Sequence, residues 1–188
     1  MIISIFSIYS SLTYTSVSLG NLVSKQLLWY LLGFAVVFVV VKLKNDFFLK
    51  NAWFFYIFGV CLLILLLIFG QPINNSKCWF ILPGIGSIQP SEFMKLFIMF
   101  ALGRVICDFK NKKNSPSMYD EFLLIVKCLF IVFIPAILTF LQPDTGAVII
   151  YLVIFTFMMF FSGISFRWFL IALFILFLVI LFSSKFTS

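Results

Sequence analysis

The stretch "AWFFYIFGVCLLILLLIFG", residues 52–70, holds no charged side chain and decides the fold. A helix needs about 20 apolar residues, within a range of roughly 17–25, to cross the hydrocarbon of a bilayer. Residues 52–70 meet that length. Further apolar runs lie at about 1–19, 27–41, 91–107, 122–141, 145–166 and 168–183. Several of these reach spanning length, and others reach it with their flanking polar residues. The count predicts about seven membrane helices in one integral domain over residues 1–188, an all-α polytopic bundle. The first is marginal: its strongly apolar part, "MIISIFSIY", is short and runs into a Ser/Thr-rich continuation. It has no basic segment ahead of it, so it does not read as a signal peptide. It reads instead as a helix lacking its true beginning.

Composition agrees. Of 188 residues, 64% are hydrophobic and 10% charged, where a soluble domain carries about a quarter. Mean hydropathy is +1.22. The 28 phenylalanines suit a surface that faces lipid. Cys61, Cys78, Cys107 and Cys128 form no C-x-x-C pair and read as small membrane hydrophobes. The absence of histidine removes the commonest general base and metal ligand. No cofactor is evident, and a divalent cation stays open.

Lysine and arginine set the orientation. With the loop at 42–51 in the cytoplasm, that side collects Lys42, Lys44, Lys50, Arg104, Lys110, Lys112, Lys113, Lys127 and Arg167. The other side holds Lys25, Lys77 and Lys185, while Lys95 lies inside a helix. The N-terminus is therefore expected inside and the C-terminal end outside. Topology accounts for the net charge of +7. The basic loops are short and lack an interleaved aromatic platform, so nucleic acid is not an expected partner. Asp46, Asp108, Asp120 and Glu121 accompany the cytoplasmic lysines and read as solvated loop charges. The run "CDFKNKKNSPSMYDE", residues 107–121, reads as a polar loop.

Two segments begin alike. "GSIQPSEFMKLF" at 86–97 opens the fourth helix and "LQPDTGAVII" at 141–150 opens the sixth. Pro90 and Pro143 suit the first helical position, where the missing N–H costs nothing. Glu92 and Asp144 complement the positive end of each helix dipole. Both pairs serve equally as plain helix starts. Glu92 and Lys95 are spaced i,i+3 and share a face. An ionisable Lys95 about one turn into the membrane calls for a partner, and the pair serves either a cavity or the stability of the bundle. On the expected topology both helix N-termini face the outer side, where free N–H groups and dipoles favour phosphate-like anions. Lys77 adds positive charge there. Trp79 fits an interfacial anchor, and Pro83, Gly84 and Gly86 fit a tight non-helical excursion.

These residues resemble the SEDS family (shape, elongation, division and sporulation), the RodA/FtsW/SpoVE group. "NNSKCWFILPGIGSIQPSEFMKL" is similar to its signature loop and helix: Asn-Gly-Ala-Arg-x-Trp, a spacer, then Gln-Pro-Ser-Glu-hydrophobic-x-Lys. "LQPDTGAVII" is similar to its second signature, Gln/Glu-Pro-Asp-x-Gly-Thr/Ala. "KQLLWYLLGF" at 25–34 and "FSGISFRWF" at 161–169 look like its second helix and its sixth-to-seventh connection. The Pro-Gly-Ile-Gly-Ser spacer looks more like the RodA branch. Asn75 stands where the family has glycine, and Lys77 where it has arginine, keeping the charge without the bidentate fork.

The resemblance implies a peptidoglycan glycosyltransferase that polymerises lipid II at the outer leaflet of the bacterial plasma membrane. Its partners would be a class B penicillin-binding protein and membrane lipids. It implies a substrate cavity drawn from Lys77, Trp79, Gln89, Pro90, Ser91, Glu92, Lys95, Gln142, Pro143, Asp144 and Gly146. Within it Glu92 and Lys95 organise the cavity, Lys77 neighbours the substrate and Asp144 braces the sixth helix. Family members have about ten helices, so the chain is expected to match their N-terminal part. No residue here matches the family's catalytic aspartate, which follows the seventh helix. Two alternatives stand beside this: a carrier or flippase for a lipid-linked precursor, and a truncated or split product that binds without catalysis.

Overall fold

The computed structural model describes residues 19–70, 78–82, 86–112 and 116–174. The apolar run at 1–19 lies almost wholly outside these residues. The described chain is helical but for one short ribbon. Helix α1 spans Leu19–Lys42, the short α2 Asn45–Lys50, and α3 Ala52–Phe69. Strands β1 (Phe80–Leu82) and β2 (Gly86–Ile88) pair. The connection between them is short enough to make this an antiparallel hairpin. Then come α4 (Pro90–Lys112), α5 (Met118–Phe140) and α6 (Thr145–Phe161). Residues 167–174 are again helical.

Two compact units divide the chain. One comprises Met1–Phe48 and Leu82–Gly86 and carries α1. Lys42 ends that helix, with its ammonium 4.2 Å from the centre of the Phe38 ring. The other comprises Leu49–Ile81 and Ser87–Ser188 and holds α3 to α6. In it α4 is central and packs on α3, α5 and α6. Leu63, Leu66, Met94, Ile98, Leu102, Val132 and Tyr151 are fully buried. Gly59 lets α3 and α4 approach closely: a Cβ there would meet Met94 Sδ and the Phe97 ring at 2.6 Å. The outward faces are as apolar as the core, with Phe54, Ile68, Phe130 and Phe161 all exposed. Continuous apolar exposure of this kind marks a surface made for lipid.

A proline lies inside α5, and its consequence is repaired from α3. Pro135 has no N–H to give the carbonyl four residues back, that of Ile131. In a bilayer that carbonyl cannot turn to water. The Tyr56 hydroxyl donates to it at 2.9 Å. One bond thus closes the gap in the α5 ladder and ties α3 to α5.

The lysine-rich end departs from the sequence expectation. The run 107–121 is largely helical: α4 extends to Lys112 and α5 starts at Met118. Arg104 and Asp108 pair at 2.9 Å across one turn, and basic residues close α4 against its dipole. Ser117 and Asp120 form a capping box. Asp108 and Asp120 are therefore engaged in helix structure rather than being loop charges. The expectation fails most clearly at Glu121, which is 7% exposed. Its carboxylate accepts from Ser165 Oγ at 2.9 Å, Trp168 Nε1 at 2.9 Å and the Ser165 N–H at 3.3 Å. Phe122 stacks on the Trp168 ring. Burial is tolerated because donors surround the charge. This clasp fixes the corner after α6, which ends at Phe161, short of the expected 166, with Gly163 at φ 77° in the left-handed region.

Tyr56→Phe should lower the unfolding free energy by about 1 kcal/mol, the worth of one buried hydrogen bond. In a Pro135→Ala background the same change should cost much less, because the alanine N–H restores the ladder. Thermal unfolding of the four-member cycle in detergent checks this. Equal costs in both backgrounds would refute the repair.

Candidate functional site

The two Gln-Pro segments meet at one end of the second unit, and Asp144 joins them. Its carboxylate Oδ2 accepts from Gln89 Nε2 at 2.7 Å and from Ser91 Oγ at 3.0 Å. Its Oδ1 accepts from the Ala147 N–H at 3.2 Å, which caps α6. The sequence reading placed Pro143 at the first helical position. The structure instead makes Asp144 the N-cap, so Pro143 lies outside the helix, exposed. The reason is chemical: an aspartate one place further on satisfies a free N–H that a proline cannot. Pro90 does open α4 as expected, and is buried.

Around this carboxylate the polar groups are dense. Ser91 is 1% exposed, and the Tyr151 hydroxyl donates to its carbonyl at 3.1 Å. Thr139 Oγ1 lies 3.4 Å from that hydroxyl. The side chain of Gln142 is fully buried and donates to the Leu63 carbonyl at 2.8 Å, joining the end of α5 to α3. Its Oε1 has no partner among the described residues. Cys78 Sγ donates to the Gln142 carbonyl at 3.0 Å and is buried, so it is a tether as well as a small hydrophobe. Trp79 follows it, half-buried. Gly146 is exposed, with room for a Cβ. Lys77 lies outside the described residues.

Lys95 and Glu92 pair at 2.7 Å as the spacing requires. Their exposure is unequal: the Lys95 side chain is 18% exposed and Glu92 57%. The lysine is partly buried, and its more exposed partner meets it from the solvent side. Glu92 directly follows Ser91, which donates to Asp144, so the pair and the Asp144 cluster share the first turns of α4.

The structure therefore gathers Gln89, Ser91 and Asp144 directly, with Gln142, Glu92 and Lys95 around them. Sequence reasoning missed Tyr151, Thr139 and Cys78. The signal was faint: Thr139 and Tyr151 carry hydroxyls in apolar helices, but so does Thr156, whose hydroxyl only turns back on its own helix at Leu152. Both Asp144 oxygens are occupied by donors, which makes this side chain a brace. Asp144→Ala should destabilise the protein by about 2–3 kcal/mol, since it strands donors to a charged acceptor. Asp144→Asn should cost about half as much, because an amide oxygen still caps α6. Thermal unfolding of both variants in detergent checks the order.

Comparison with known proteins gives the family and the fold. The family model described as a cell cycle protein, covering FtsW, RodA and SpoVE, matches residues 1–187. A probable peptidoglycan glycosyltransferase FtsW from Hydrogenovibrio crunogenus is 30% identical over 138 residues, covering 73% of this chain and 34% of that protein. A crystal structure of a variant of the Thermus thermophilus rod shape determining protein RodA aligns with TM-score 0.66 and 25% identity, over 84% of this chain and 50% of the other. A chain of a peptidoglycan synthase complex aligns with TM-score 0.73 and 24% identity, over 94% of this chain and 49% of the other. The present chain spans between about a third and somewhat over half of the proteins it matches. Its two joined Gln-Pro helix starts stand within a polytopic helical membrane fold, and the chain belongs to the FtsW/RodA/SpoVE family of cell cycle proteins.

Proposed function

We propose that these helices serve a peptidoglycan glycosyltransferase that polymerises lipid II at the outer leaflet of the bacterial plasma membrane. The N-terminus is cytoplasmic in this reading, and a class B penicillin-binding protein crosslinks the product. One observation carries it: Asp144 locks the starts of α4 and α6 side by side, at 2.7 and 3.0 Å from Gln89 and Ser91. Two helix N-termini then face one end; Asp144 takes up part of their positive potential, and the free N–H groups that remain favour an anion. Lys95 brings a cation to the same end, and Lys77 precedes it in the chain. The pyrophosphate of a lipid-linked sugar is an anion suited to that environment. The names of the Hydrogenovibrio relative and of the synthase complex support the reading.

Polymerisation joins an acceptor sugar hydroxyl to the anomeric carbon of the donor. The new C–O bond forms as the bond to the lipid pyrophosphate breaks, and a base takes the hydroxyl proton. Asp144 is no candidate for that base, since its lone pairs already hold the helix starts. Glu92 is tied to Lys95. The residues of this site bind and orient, and they stabilise the leaving pyrophosphate.

Lys95→Met and Glu92→Gln should both lower lipid II polymerisation in a chain of the relatives' length, assayed with its penicillin-binding protein, with and without a divalent cation. The lysine variant should fall by tenfold or more, since it removes a cation held in a partly dry site. The glutamate variant should fall less, because Glu92 is largely solvated. Undiminished strands from Lys95→Met overturn the reading. Lipid moved across vesicles with no strands made would favour the carrier.

A further inference from the structure

We propose that the opposite end of the second unit binds the headgroup of an anionic phospholipid. A cavity of about 580 Å³ opens there, between the start of α3, the last turns of α4 and the first half of α5. That size is typical of ligand sites. Its walls include Trp53, Phe109, Leu124 and Phe130, and two lysines, Lys112 and Lys127, project onto it. Lys112 closes α4 at the membrane edge. Lys127 lies deeper, roughly 13 Å along α5 from Met118 at 1.5 Å per residue. A lysine at that depth within a membrane helix is costly unless an anion meets it or its stem carries the charge outward.

The acids on the same wall, Asp108 and Asp120, are engaged with other partners. Asp108 is held by Arg104 at 2.9 Å, and Asp120 closes the capping box with Ser117. Neither Lys112 nor Lys127 makes an ion pair among the described residues. The cavity thus offers two cations at different depths beside an aromatic and aliphatic wall. A phospholipid suits it: the phosphate sits at the interface beside Lys112, where an exposed Lys127 stem can carry its charge outward to the same group, and a chain can run along Phe130 and Leu124. A basic recess between membrane helices at the lysine-rich side is where an acidic headgroup gains most.

The test uses the 188-residue chain in neutral detergent, with native mass spectrometry against equal amounts of phosphatidylglycerol and phosphatidylcholine of matched chains. The chain should retain phosphatidylglycerol over phosphatidylcholine by about 25-fold, with each lysine worth roughly fivefold. Lys112→Gln with Lys127→Gln should abolish the preference, and Lys44→Gln should leave it unchanged. Equal retention of the two lipids by the wild-type chain overturns the proposal, as does a preference that survives the double change. Inorganic phosphate that binds with the same lysine dependence while phosphatidylglycerol shows no preference also overturns it, leaving an ion site only. If the double variant does not fold, Lys127→Gln alone replaces it, and an undiminished preference there is the overturning result.

Discussion

One carboxylate holds the polar end of this bundle together. Asp144 accepts from Gln89 and Ser91 at the start of α4 and from the Ala147 N–H at the start of α6. Without it, two helix N-termini with unsatisfied N–H groups would have no reason to lie side by side. Their dipoles would repel, positive end against positive end. A negative charge between them turns that repulsion into cohesion. The other bonds of this end follow from the same placement: Tyr151 reaches the Ser91 carbonyl, and Gln142 reaches back to α3.

The apolar solvent explains why so few bonds do so much. In water, one side-chain contact among many is worth little. In hydrocarbon, a backbone group without a partner costs several kcal/mol. Three interruptions of regular helix here are therefore met by named side chains. Tyr56 meets the gap left by Pro135, Gln142 and Cys78 meet the turn between α5 and α6, and Glu121 meets the turn after α6. The walls between these points carry phenylalanine, leucine and isoleucine outward and need no such repair.

Much of this was legible in the sequence, for a physical reason. A charge-free run such as 52–70 is long and apolar enough to cross a membrane, and Pro90 and the Glu92–Lys95 spacing are local signals. Where local signals compete, the reading slips by a residue, as at Pro143, where the aspartate that follows is the stronger cap. Glu121 was illegible because its donors, Ser165 and Trp168, stand 44 and 47 residues downstream. A carboxylate among lysines looks solvated until the fold brings those donors to it. The link from Gln89 to Asp144 spans 55 residues. The sequence shows two similar motifs but not that one completes the other.

The Glu121 clasp also sets an order of events during synthesis. Its donor Ser165 leaves the ribosome 44 residues after it, a delay of roughly 2–9 s at 5–20 residues per second. For those seconds α5 exists with an acid at its first turn and nothing to neutralise it. An unpaired carboxylate does not enter hydrocarbon. It holds the start of α5 at the water boundary while α6 is still being threaded. The same group that ends as a buried corner-stay begins as a float, and the switch between the two comes only when the chain returns to that side.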